Sequence, residues 1–372
     1  MPDACAPIGS SARSAAPHRQ IIDPIPAGVA RPLWSVMIPT FNCAAYLRET
    51  LASVLVQDPG AELMQIEVVD DCSTRDDPEA VVDEMGGGRV AFFRRSQNGG
   101  HRANFRTCLE RSCGRLVHLL HGDDLVAPGF YRKLQAGFEV APNAGAAFCR
   151  HVFVDEGGAP MLTSQPERSE SGLLEGWLER IAVRQLIQTP SIAVRREVYE
   201  TLGMFDDRLS WVEDWEMWAR IAAHYPVWYE AEPLALYRMH GSSNSDRHRR
   251  SGENLRDVRR AVGLIQPLLP PKARRRVRRE SLRFWAMDAL CDRAPGMLAA
   301  GDVQGTLAQI EGALMCSRTP TVVALAVRRS AQAAMLVAMH GVAPIRRALA
   351  YASSRRPRVG RSSSGPLPKG ER

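Results

Sequence analysis

Two pairs of adjacent aspartates sit where short apolar runs end: Asp70-Asp71 after Ile66–Val69, and Asp123-Asp124 after Leu116–Leu120. An unpartnered carboxylate inside an apolar run is very costly, so such pairs belong at strand ends and not within strands. A single pair is explained well enough by strand termination and helix capping, where Asp is favoured for local reasons. Two pairs at corresponding ends point to a site, because ligands of open α/β sheets bind beyond the carboxyl ends of the strands. Asp123 and Asp124 suit Mg2+ or Mn2+, which one or two carboxylates hold while phosphate oxygens and water complete the shell. No GxGxxG follows the first apolar run and no GxxxxGK[ST] occurs anywhere, so the usual dinucleotide and P-loop grips on phosphate are absent. The Gly86-Gly87-Gly88 run reads as a turn.

The hydrophobic pattern says which elements must carry these acids. Apolar runs at Trp34–Ile38, Ile66–Val69, Val90–Phe93 and Leu116–Leu120 alternate with helical periodicity. Ala45–Gln57, for instance, places Leu47, Leu51, Val54 and Leu55 on one face, and Asp77–Met85 and Ala103–Cys113 read likewise. Short buried strands alternating with helices predict βαβ units and a mainly parallel sheet. Further on, Ala146–Val154 and Val227–Tyr237 read as strands and Gly157–Ser171 as a loop. Leu173–Leu186, Arg195–Leu202 and Trp211–Tyr225 read as helices. Beyond Gly241 the chain turns polar and basic, with helices predicted at Ala273–Asp292, Thr306–Met315 and Val322–Met339. Residues 1–32 read as a disordered leader and 353–372 as a disordered tail.

A chain of 372 residues with 45% hydrophobic content can build one large or two medium domains with a full core. It is not collagen-like, disulfide-dense or predominantly disordered. No apolar run approaches the roughly 18–20 residues of a membrane-spanning helix, so no span is predicted. The N-terminus carries Asp3 and no apolar stretch before Pro24, which argues against a secretory signal. Eight scattered cysteines without a CxxC pair read as reduced thiols of a cytoplasmic protein, with no zinc framework. Charge is split along the chain. Residues 1–246 hold 23 basic and 33 acidic side chains, net −10, and residues 247–372 hold 25 and 8, net +17. Two halves of opposite sign suggest two jobs.

The order of these pieces carries a resemblance. From Leu33 to about Ser245 the chain resembles the family 2 glycosyltransferases of the GT-A fold. The matching pieces begin with Ser35-Val-Met-Ile-Pro-Thr-Phe-Asn42, Val68-Val-Asp-Asp-Cys-Ser-Thr74 and Asn98-Gly-Gly running into Asn104. Leu116-Val-His-Leu-Leu-His-Gly-Asp-Asp124, Thr189-Pro-Ser191 and Gly203-Met-Phe-Asp206 follow. Glu213-Asp-Trp-Glu-Met-Trp218 and Tyr237-Arg-Met-His-Gly-Ser242 complete the set. The fold it implies is a mixed α/β sheet with flanking helices over 33–245, followed by a basic, mostly helical region over 246–352.

The resemblance also implies roles. Pro39, Thr40 and Asn42 would cradle the nucleotide, Asp71 would meet the base and Asp70 would support that loop. Asp123 and Asp124 would touch the ribose and hold Mg2+ or Mn2+ on the diphosphate, with His240 reaching the metal or phosphates. Asp214 would be the catalytic base of an inverting transfer. The donor would be a UDP-, dTDP- or GDP-sugar, and the acceptor a saccharide or lipid-linked glycan of bacterial surface polysaccharide assembly. The acidic element more often reads Asp-x-Asp-Asp, and its first position here is His121. The aromatic near the base is Phe41 or Tyr46. Two alternatives stand beside this reading: a degenerate nucleotide-sugar-binding scaffold, and a sugar nucleotidyltransferase.

Some residues have plainer readings. Trp211, Trp215 and Trp218 fall on one helical face, which suggests core packing before an aromatic wall at the acceptor. Glu213 reads as a first-turn acid favoured by the helix dipole, and His101 and Arg102 as a solvated helix start. The basic C-terminal region reads as a solvated appendage or as a surface docking on anionic lipid at the inner face of the membrane. No nucleic-acid-binding signature supports a nucleic-acid partner.

Overall fold

The computed structural model describes residues 18–241 and 244–340. Its strands are β1 (Trp34–Thr40), β2 (Met64–Asp70), β3 (Ala91–Arg94), β4 (Leu116–Leu119), β5 (Leu125–Val126), β6 (Ala146–Val154), β7 (Pro160–Thr163), β8 (Gly172–Leu173), β9 (Ile192–Arg195) and β10 (Val227–Arg238). They form a sheet of order β3-β2-β1-β4-β9-β6-β10-β5, with β7 beside β6 and β8 beside β10. The first four strands are parallel, and β9 runs antiparallel to both β4 and β6. The sheet is therefore mixed, and the acid pairs lie at the ends of β2 and β4, which flank β1.

All seven residues of β1 are buried, as a strand covered on both faces requires. Side-chain alternation sends Trp34, Val36 and Ile38 to one core, with Leu47, Leu51 and Phe130. Met37 faces the other core with Val69, Phe105 and Leu109. The first core is closed by α1 (Ala44–Leu55), α2 (Pro78–Gly86) and, past α3 (His101–Arg111), by α4 (Phe130–Val140). The remaining helices are α5 (Trp177–Ile181), α6 (Arg196–Leu202), α7 (Glu213–His224), α8 (Asn244–Ser251), α9 (Glu253–Ile265), α10 (Pro271–Asp288), α11 (Ala294–Ala299), α12 (Val303–Cys316) and α13 (Pro320–His340).

The C-terminal helices are continuous with the second core. Leu255 and Val258 of α9, with Val277 and Trp285 of α10, join Trp215, Trp218 and Phe105 in one buried cluster. The rings of Trp211 and Trp215 meet Trp285 at 5.9 and 5.5 Å. Trp215 and Trp218 are thus core residues, and Trp211 lies at the seam with α10.

Several sequence expectations differ from the structure. Residues 18–32, expected in a floppy leader, are tied down: Ile22 is buried, and Arg19 pairs with Asp206 and Glu216 at 3.0 and 2.9 Å. Residues 1–17 and 353–372 lie outside the described residues. The helix expected over Leu173–Leu186 shrinks to α5, because Gly172 and Leu173 pair with β10 and Gly176 takes φ 61°. The loop expected over Gly157–Ser171 contains β7, hairpinned onto β6. Helix α13 also overturns the expectation that nothing approaches membrane-spanning length. Pro320–Met339 is a 20-residue stretch of mean hydropathy 1.4, long and apolar enough to cross a bilayer by composition alone.

Candidate active site

The loops after β1 and β2 are knitted together at the top of the sheet. Asn42 adopts a left-handed φ of 51°, donates its amide to Ser73 Oγ at 2.8 Å and accepts from the Thr74 and Arg75 amides through Oδ1. Thr40 accepts the Asp71 amide on its carbonyl, and Pro39 accepts that of Gly122. The approach of β4 to β1 is close enough that a Cβ on Gly122 would meet Thr40 Oγ1 at 3.0 Å and Cys43 Sγ at 3.1 Å. Pro39, Thr40 and Asn42 therefore supply a fixed backbone rim.

The first acid pair is turned inward. Asp70 accepts from the Ser73 amide and hydroxyl and from Arg94 Nε at 2.9 Å. Asp71 is buried beneath the start of α3, where the Gly99 and Gly100 amides reach it at 3.0 and 2.8 Å and Arg95 pairs with it. Gly100, at φ +80°, is the turn that aims those amides, and a helix N-terminus is a natural seat for a carboxylate. Both side chains brace the loops after β1 and β2 from behind. Of the two aromatic candidates, Phe41 is exposed. Tyr46 is occupied: its hydroxyl donates to Glu156, and its ring meets His240 and the Arg238 guanidinium.

The second pair divides its labour. Asp124 is buried, with Oδ1 accepting the Arg238 amide at 2.8 Å and Oδ2 bonded to His121 Nδ1 at 3.1 Å. Burial and the adjacent Asp123 push it up to about 6 against the pull of His121. Asp123 is the open member, 27% exposed, and is held by His240 Nε2 at 2.9 Å. Burial opposes its charge, but the His240 bond and the His121 and His240 charges together outweigh that and hold the carboxyl below its ordinary value. The same bond raises His240. His121, in place of the more usual first Asp, stacks on Phe105 at 5.2 Å and 10°, and its Nε2 is buried with no hydrogen-bond partner among the described residues.

The donor chemistry fits a divalent ion. One ligand atom from each of His121, Asp123 and Asp124 lies within 4.8 Å of the others. Carboxylate oxygen and imidazole nitrogen suit Mn2+ well, and a carboxylate-oriented imidazole is a common supporting arrangement in metal sites.

Asp214 stands in the first turn of α7. Its Oδ1 accepts the Trp215 amide at 2.7 Å, and its Oδ2 accepts from Gln185 Nε2 at 2.7 Å and Thr189 Oγ1 at 3.3 Å. Burial, then the neighbouring Glu213 charge, pushes it up to about 7. Glu213 is held below its ordinary value by the His101 bond at 2.8 Å, against burial. His121 lies within electrostatic reach of Asp124, Asp123 and Asp214 alike, and all three charges raise it against burial. His101 and Arg102, expected to be solvated, instead brace α3 against α7, with Arg102 reaching the Asp207 and Leu209 carbonyls.

Three supports of Asp214 were not identified from the sequence. Gln185 lies before a short 3-10 turn and nothing in the sequence marks it, while Thr189 opens that turn inside the Thr189-Pro-Ser191 motif, which gave it no role at Asp214. The third is Asp257 of α9, which is fully buried and accepts the amides of Ser210, Trp211 and Val212 at 2.9, 2.8 and 3.2 Å through one carboxylate oxygen. It anchors the approach to α7 from the C-terminal region.

Comparison with known proteins agrees with this geometry. Residues 35–203 match the family model described as glycosyl transferase family 2. Over that span the chain matches a family 2 glycosyltransferase domain. An uncharacterized protein of Mycobacterium tuberculosis is 27% identical over 66% of this chain and 80% of its own length. An uncharacterized glycosyltransferase of Rickettsia typhi is 22% identical over 58% of this chain and 66% of its own. Another from Rickettsia felis is 23% identical over 59% of this chain but only 36% of its own length. Among solved structures, S. aureus TarS in complex with UDP-GlcNAc aligns with TM-score 0.55 at 16% identity, over 82% of this chain and 88% of that one. The mannosyltransferase PcManGT from Pyrobaculum calidifontis, in complex with GDP-Man and Mn2+, aligns with TM-score 0.50 at 18% identity, over 84% and 89%. These similarities identify the mixed sheet as the GT-A fold.

Proposed function

We propose that this glycosyltransferase moves a sugar from a nucleotide-diphosphate donor to an acceptor hydroxyl with inversion, and that Asp214 is its base. The observation that carries the reading is a partly open, histidine-held Asp123 and an Asp214 pushed up to about 7, both within electrostatic reach of His121. The acceptor oxygen attacks the anomeric carbon and passes its proton to Asp214. The bond from that carbon to the diphosphate oxygen breaks, and the nucleotide leaves with the electron pair. A base near neutrality is matched to that task, and a single displacement with one base inverts the centre. Asp123 and Asp124, with His121 and His240 beside them, would hold Mg2+ or Mn2+. When bound, the ion stabilises the charge growing on the departing diphosphate. Pro39, Thr40 and Asn42 frame the nucleotide, while Asp71, held by the Gly99 and Gly100 amides, fixes the loop behind it.

The complexes of TarS with UDP-GlcNAc and of PcManGT with GDP-Man and Mn2+ support a nucleotide-sugar donor. A saccharide or lipid-linked acceptor, as in bacterial surface polysaccharide assembly, rests on the family resemblance. Titration calorimetry of UDP, dTDP, GDP and their sugars, with Mn2+ or Mg2+ and then with EDTA, tests the reading. Binding of one nucleotide that EDTA abolishes is expected. A folded protein that binds none of them would be a degenerate scaffold, and the reading would fail.

A further inference from the structure

We propose that the outward face of α13 is a docking surface for an anionic lipid bilayer, with the helix lying in the headgroup plane. The helix buries Val322, Ala326 and Ala333 on one side, and Arg329 Nε donates to the Leu290 carbonyl at 2.9 Å. The opposite side, at helical spacing, carries Val323, Val327, Met335 and Met339, which are 40, 65, 64 and 71% exposed, with Ala324 and Ala331 between them. The outward face of a helix packed on a water-soluble core is ordinarily polar. Here α13 has no Asp, Glu or Lys, and its one exposed cation is Arg328. Scattered apolar residues on a surface mean little, but these form a line about 24 Å long, and a contiguous apolar patch marks an interaction site.

Charge identifies the occupant. Helix α10, in contact with α13, exposes Lys272, Arg275, Arg276, Arg278, Arg279 and Arg283, and among the described residues only Arg276 of these forms an ion pair. The sequence following α13, residues 341–372, holds eight basic residues and one acidic residue. An apolar stripe on one helix and unpaired cations on a helix in contact with it match the boundary between acyl chains and anionic headgroups, where reversible attachment needs both signals. A second copy of the chain would set the same cations against each other. A spanning orientation would place Arg328 and Arg329 near the bilayer centre, which is costly, and would pull Arg329 from the Leu290 carbonyl. The helix therefore lies in the plane. This inference is independent of the sugar-transfer reading.

Flotation of the full chain tests it, with vesicles of phosphatidylcholine alone and of phosphatidylcholine mixed with phosphatidylglycerol. The wild type is expected to float with the mixed vesicles only, and to be released by high salt. Val327→Glu/Met335→Glu and Arg275→Glu/Arg279→Glu, all at exposed positions, are each expected to lower the floating fraction about tenfold or more with unchanged melting temperature. A wild type left in the soluble fraction overturns the proposal, as does a Val327→Glu/Met335→Glu chain that floats like wild type. Sedimentation velocity without lipid supplies the other refutation: a dimeric wild type and a monomeric Val327→Glu/Met335→Glu chain would assign the stripe to a second copy.

Discussion

Replacing Asp214 with Asn should make the protein inactive and, above neutral pH, more stable. The carboxyl is pushed up to about 7 by burial and by Glu213, from about 3.9 in an unfolded chain. A raised carboxyl means that the folded state resists ionisation. Between about pH 4 and pH 7 the native chain binds more protons than the unfolded one, so this group lowers stability as pH rises, and the deficit is constant above 7. About 3 units at 1.36 kcal/mol each set a ceiling of about 4 kcal/mol. Asparagine recovers only part of that. Its amide accepts the Trp215 hydrogen bond, but its NH2 faces Gln185 Nε2, so the Gln185 side chain must turn to present Oε1, which is buried and has no partner among the described residues. A gain of about 2 kcal/mol at pH 8, a few degrees in melting temperature, is the expected result, with almost none at pH 4. Transfer measured by nucleotide release should fall by at least about 100-fold. Wild-type turnover should rise with pH along a limb near 7. An Asp214→Asn enzyme within tenfold of wild type, or one no more stable than wild type at pH 8, would refute the reasoning.

Three further outcomes are expected. Glu213→Gln removes a charge that raises Asp214, so the acid limb of the pH–rate profile should move to lower pH. A limb that stays put would remove Asp214 as its source. Asp257→Ala strands three buried amides of the α7 approach, which should cost about 3 kcal/mol in denaturant unfolding and lower kcat, with nucleotide affinity by calorimetry nearly unchanged. Asp123→Asn should abolish the metal-dependent part of nucleotide binding, and His240→Gln should weaken it by about 10-fold, the usual scale for a supporting partner of a metal ligand. Equal binding with and without EDTA in wild type would contradict both.

The strands were legible because burial on both faces leaves continuous apolar runs: the run at Ala146–Val154 is β6, and that at Trp34–Ile38 is all but the last two residues of β1. The pairing of Asp123 with His240 joins two motifs that the sequence already set in the family's order. The orientation of each carboxylate was not legible, because it depends on distant backbone. Asp71 is claimed by amides near residue 100, Asp124 by that of Arg238, and Asp257 by those of residues 210–212. Helix α9 escaped notice although Leu255, Val258, Val262 and Ile265 recur at helical spacing, because the arginines between them read as a solvated basic stretch. Its role lies in Asp257, whose carboxylate caps the approach to α7.

That contact orders events during synthesis. The sheet is complete at Arg238, and the nucleotide rim and acid pairs are then all in the chain. The approach to α7 still lacks its acceptor until Asp257 emerges and α9 docks on Trp215 and Trp285. A nascent or truncated chain ending before Glu253 would possess the donor end of its pocket without a fixed base. On the proposed reading the pocket's nucleotide end is thus complete before its catalytic end, and the last support comes from α9.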